Sequence, residues 1–93
     1  MQFLVRMDVR LPHDMPQEVA DDLRAREKDR AAEIQRSGKW PELHRVVGRY
    51  ANISLFEVAD GDELHQLLSS LPLFPYMDIE VTALARHPSK VDP

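Results

Sequence analysis

Residues 15–37 read MPQEVADDLRAREKDRAAEIQRS, and the fold follows from how this stretch is set against its flanks. At about 100° per residue, Val19, Ala20, Leu23, Ala31 and Ile34 fall on one side as an apolar stripe, which predicts a long amphipathic helix. Asp21, Asp22, Arg24, Lys28, Asp29 and Glu33 fall mostly elsewhere, as a solvated face requires. Glu27 lies near the middle of the stripe. An ionised carboxylate taken out of water costs several kcal/mol or more unless it is paired or neutralised. Glu27 is therefore a partly exposed glutamate whose stem packs on the sheet, one half of a buried ion pair with an arginine such as Arg6, Arg45 or Arg49, or a carboxylate kept for chemistry.

Upstream, Phe3, Val5, Met7, Val9 and Leu11 alternate with Leu4, Arg6, Asp8 and Arg10, the period of a strand with one apolar face, stopped by Pro12. Asp14 and Gln17 have the spacing of a capping box, with Pro16 tolerated in the first turn. Downstream, the helix is expected to end at Ser37, with Gly38 as its left-handed stop. Trp40–Val47 and Tyr50–Val58 form a predicted hairpin around Gly48. In its second strand Tyr50, Asn52, Ser54 and Phe56 share one face, and Ala51, Ile53 and Leu55 the other. Its turn residues leave the register open by one.

Asp60 to Glu63 is a second capping box, opening a helix that buries Leu64, Leu67, Leu68 and Leu71. Pro72 and Pro75 frame a stiff connection expected to be non-helical. Met77–Leu84 is the last strand, and the chain from about residue 87 to 93 reads as a tail. The order β-α-β-β-α-β is the ferredoxin-like, split-βαβ pattern of the α+β class, with two helices on one face of a four-stranded antiparallel sheet. Large apolar residues of both parities, Leu4 and Phe56 among them, predict that the other face meets a second subunit.

Composition bounds the function. Ninety-three residues make a single domain, 1–93, with 43% hydrophobic and 30% charged residues. A net charge of −4 lacks the basic footprint of a nucleic-acid binder. Without cysteine there is no disulfide, thiolate nucleophile or cysteine-ligated metal. No apolar run reaches the roughly 20 residues of a membrane span, and the N-terminus lacks a secretory pattern, so a cytoplasmic protein is expected. His13, His44, His65 and His87 have no metal-ligand spacing, and no metal site is expected. Glycine-rich phosphate loops and nucleophile elbows are missing too.

What remains is Glu27 as a candidate general base, its pKa raised by desolvation. Tyr50, Asn52 and Ser54 form either a polar outer face or a row of neutral hydrogen-bond donors suited to an oxyanion or a lactone carbonyl. Arg45 and Arg49 flank the hairpin turn, either as solvated charges or as the cation that a carboxylate ligand would need. Phe74-Pro75-Tyr76 is either a packed loop or a pocket cap.

Three runs carry a resemblance: Arg26-Glu27-Lys28, Gly48-Arg49-Tyr50-Ala51-Asn52, and the stretch from Leu71 through Pro72, Phe74, Pro75, Tyr76 and Asp78 to Val81, continued by Arg86-His87-Pro88-Ser89. From Met1 to about Ser89 the chain resembles the muconolactone Δ-isomerase family of bacterial catechol degradation. The resemblance implies a ferredoxin-like subunit, a homodecamer built from dimers, and no cofactor. It also implies a 1,3-proton shift converting muconolactone to 3-oxoadipate enol-lactone. On that basis Glu27 is expected to be the catalytic proton shuttle and Tyr50 and Asn52 to polarise the lactone. Arg45 is expected to hold the substrate carboxylate, in competition with Arg6, Arg10, Arg49 and Arg86. The alternatives are a chloromuconolactone dehalogenase, a cofactor-free monooxygenase of the dimeric α+β barrel type, and a ligand-binding domain without activity.

Overall fold

The computed structural model describes residues 1–92; Pro93, the end of the expected tail, lies outside the described residues. Four strands, β1 (Gln2–Val9), β2 (Glu42–Arg45), β3 (Ala51–Glu57) and β4 (Met77–Leu84), and two helices, α1 (Gln17–Arg36) and α2 (Gly61–Ser69), follow the order β1-α1-β2-β3-α2-β4. The sheet is antiparallel in the order β2-β3-β1-β4. The ferredoxin-like pattern expected from the sequence is thus present.

Register decides which residues meet the helices. Phe3 pairs with Phe56, Val5 with Ser54 and Met7 with Asn52, while Arg45 pairs with Asn52 and Leu43 with Ser54. Because side chains alternate across a strand, Asn52, Ser54 and Phe56 share the buried helix-side face with Phe3, Val5 and Met7. Val5, Met7 and Phe56 are fully buried there, beneath Ile34, Leu64, Leu68 and Leu71. Trp40 stacks on Phe56 with ring centroids 4.8 Å apart and planes inclined by 22°. The opposite face carries Leu4, Ile53 and Leu55 and is only partly covered, with Leu4 40% exposed.

Local details correct several expectations. β1 ends at Val9 rather than Leu11, because its last ladder partners are Ala51 for Asp8 and Met77 for Val9. The Asp14–Gln17 box does not form. Pro16 is the N-cap, in extended conformation, and its carbonyl accepts from Val19 and Ala20 while the Gln17 amide donates to Asp21 instead. Val19, at the edge of the stripe, is 46% exposed rather than buried. The connection before β4 contains a short 3₁₀ turn, Phe74–Tyr76. Pro75 fits it because a first turn needs no N–H from that position.

Other signals stand as expected. Ser37 is the C-cap of α1 and Gly38 follows at φ 82°, a region glycine enters without Cβ strain. Gly48 turns the hairpin at φ 78°. Asp60 caps α2, its Oδ1 accepting from the Glu63 N–H at 2.9 Å. The return bond from Glu63 reaches the Ala59 N–H at 3.0 Å, one residue before the cap.

Candidate active site

Between the middle of α1, the β2–β3 hairpin and the segment entering β4 lies a cavity of about 460 Å³, a size that admits a small organic molecule. Its apolar wall includes Val9, Ala31, Trp40, Leu43, Leu73 and Met77. Its polar groups are Glu27, Arg24, Lys28, Arg45, Tyr50 and Asn52. The structure therefore brings together Glu27, Tyr50, Asn52 and Arg45, each of which the sequence singled out.

Glu27 reaches the cavity because it is flanked on α1 by the buried Leu23 and by Ala31, which lines the same space. It is half-buried and forms no ion pair among the described residues. Its Oε1 accepts instead from the Leu73 backbone N–H at 2.9 Å. Burial pushes the carboxyl above the ordinary glutamate range, and the Leu73 hydrogen bond offsets only part of that rise. The alternative of a buried ion pair is not realised.

Tyr50 and Asn52 enter from β3 and the turn before it. The Tyr50 hydroxyl accepts from Arg24 Nε at 3.3 Å, leaving its own proton to donate elsewhere. The guanidinium carbons of Arg24 and Arg45 stand 5.7 and 5.6 Å from the Tyr50 ring centroid, within cation–π range. Asn52 Oδ1 accepts from the Ser54 hydroxyl at 2.7 Å.

Of the arginines that compete in the sequence for a substrate carboxylate, Arg45 is the one that lines the cavity. Arg6 pairs with Asp8 at 2.9 Å on the open face of the sheet, Arg10 with Asp78 and Arg86 with Asp92, also at 2.9 Å. Arg49 contributes its carbonyl to Arg45 at 3.4 Å rather than its side chain to the cavity. Arg24 and Lys28, read from the sequence as solvated, line the cavity as well. The helical spacing 24-27-28-31 puts all four residues on one flank of α1, and that spacing is the sequence signal that could have found them. Ser54 belongs to the buried row rather than to the lining, and Leu73, not Phe74 or Tyr76, closes this part of the wall.

This arrangement offers a half-buried carboxylate, neutral donors and cations around one small, largely apolar space. Among the described residues no three His, Asp or Glu side chains are grouped to hold a metal ion. A carboxylate of raised pKa can accept a proton from carbon, the donors can meet charge developing on an oxygen, and the cations can hold an anionic substituent.

A family model described as muconolactone delta-isomerase matches residues 1–90. The chain is 64% identical to a muconolactone delta-isomerase of Cupriavidus pinatubonensis over 91 residues, covering 98% of this chain and 99% of the relative. It is 55% identical to a muconolactone delta-isomerase of Rhodococcus opacus, over 96% of each chain. A crystal structure of muconolactone isomerase superposes with a TM-score of 0.93 at 50% identity, covering all of this chain and 97% of that one. On this match of sequence and fold, the chain belongs to the muconolactone delta-isomerase family.

Proposed function

We propose that this protein is a muconolactone isomerase working by proton transfer through one carboxylate. The ionised Glu27 removes the γ-proton of the unsaturated lactone. The C–H electron pair passes into the ring as a dienolate, with negative charge on the lactone oxygen. Tyr50 and Asn52 donate hydrogen bonds to that oxygen. The protonated Glu27 returns the proton to the α-carbon, which moves the double bond and gives 3-oxoadipate enol-lactone. No net redox change occurs and no cofactor is required by the step. Arg45, with Arg24 beside the same tyrosine ring, holds the substrate's acetate carboxylate.

The observation that carries this reading is a half-buried glutamate on a cavity wall, hydrogen-bonded to a backbone N–H and without a cationic partner among the described residues. A purely structural carboxylate at such a position loses hydration without an ion pair to compensate. The partly covered sheet face around Leu4 supports assembly into the homo-oligomer, a decamer built from dimers, that the resemblance implies. A cytoplasmic location is part of the same reading. Among the described residues no helix is long and apolar enough to cross a membrane.

The test is an absorbance assay with muconolactone under anaerobic conditions, without added metal or cofactor. Formation of the enol-lactone at an undiminished rate without oxygen is expected. Dependence on oxygen would identify a monooxygenase instead, and binding without turnover would leave a ligand-binding domain.

A further inference from the structure

The central row of the sheet's helix side contains one residue that packing does not explain. Ser54 is 1% exposed, the one polar residue in an otherwise apolar buried set, paired across the sheet with Val5 on one side and Leu43 on the other. Alanine would fill that place without the cost of burying a hydroxyl. The hydroxyl has a single partner among the described residues, Asn52 Oδ1 at 2.7 Å.

That bond has a direction. A buried serine hydroxyl must place its proton, and the carboxamide oxygen is the acceptor within reach. Turning the amide over would point an NH₂ at the hydroxyl and strand the serine proton in an apolar layer. The Asn52 oxygen is therefore held inward. Its NH₂ donates to no protein group among the described residues, yet it is not a buried unsatisfied group there. It opens to the space that Asn52 lines, which is the cavity.

We propose that Ser54 is a positioning residue. Its hydroxyl locks the Asn52 carboxamide with the N–H side toward the substrate, so that the cavity presents a donor and not an acceptor to the lactone oxygen. The difference matters because a carbonyl oxygen aimed at a developing oxyanion repels it, while a preoriented N–H stabilises it without reorganisation during the reaction. The assignment rests on the reading of Asn52 as a polarising donor.

The test compares Ser54→Ala, Asn52→Ala and the double variant by steady-state kinetics with muconolactone, each checked by thermal melting. Asn52→Ala is expected to lower kcat about 100-fold, the loss of one oxyanion donor. Ser54→Ala is expected to lower kcat about tenfold, the worth of one ordinary hydrogen bond, with KM within about twofold and the melting temperature not reduced. In the Asn52→Ala background, Ser54→Ala should change kcat by less than about twofold, because the group it positions is gone. Should Ser54→Ala fail to fold, Ser54→Cys, with a weaker donor of similar size, replaces it in the same comparison.

Wild-type kcat in the Ser54 variant beside an impaired Asn52→Ala would overturn the proposal and leave the role of Asn52 standing. Independent effects that multiply in the double variant would overturn it as well. Wild-type kcat in Asn52→Ala would remove the donor role of Asn52, and the proposal with it.

Discussion

Glu27 on α1 accepts a hydrogen bond from the Leu73 N–H at 2.9 Å, and this contact ties the middle of the long helix to the segment that enters β4, 46 residues further along the chain. It explains how a carboxylate survives in a largely apolar wall without a cation. One backbone donor fixes the orientation of one oxygen, and the other oxygen is not taken up by any hydrogen bond among the described residues. Burial outweighs that single donor, so the carboxyl lies above the ordinary glutamate range. A base for carbon acids benefits from this, since a more basic carboxylate is better matched to the proton it must remove.

The first consequence concerns pH. Glu27 acts as a base only when ionised, and burial makes it bind its proton more tightly than a free glutamate does. The value of kcat/KM should fall as pH decreases, with a midpoint above the ordinary glutamate range. In Glu27→Gln the residual activity should lose this acidic limb. A rate profile across the acid range measures both; a limb lying in or below the ordinary range would contradict the burial argument.

The second concerns the cations. Arg24 and Arg45 approach the same Tyr50 ring at 5.7 and 5.6 Å, and each is free of a tight ion pair with a carboxylate among the described residues; the Asp21 contact of Arg24 is 3.6 Å long. Arg45→Met should raise KM about 10- to 100-fold, the range of a charge-assisted hydrogen bond, with kcat changed less than about threefold. Arg24→Met should act in the same direction and also disturb Tyr50, whose hydroxyl it contacts. Initial-rate measurements over a range of muconolactone concentrations separate KM from kcat. An unchanged KM in Arg45→Met would transfer the carboxylate to Arg24 or Lys28.

Most of this architecture is legible in the chain because two periods dominate it. Phe3, Val5 and Met7 alternate as a strand, and Ala20, Leu23 and Ile34 recur as a helix stripe, and each set is buried as its period requires. Asp60 caps its helix through its hydrogen bond from the Glu63 N–H, whereas Asp14 loses the cap to Pro16, whose non-helical backbone starts the helix later than a box would. Glu27 is legible as an anomaly in the stripe. Arg24 and Lys28 are not, because long cationic side chains on a helix flank look solvated until a hairpin closes over them. Ser54 is legible only as one of a row: its partner Asn52 lies two residues away on the same strand, but which face of that strand turns inward depends on a register that the turn residues leave open.

The most direct measurement is kcat for Glu27→Gln, a substitution that keeps the shape and the acceptor oxygen for Leu73 while removing the base. The expected result is a folded protein with KM near the wild-type value and kcat lowered by roughly 10²–10⁴. Full activity in that variant, with the fold intact, would contradict it.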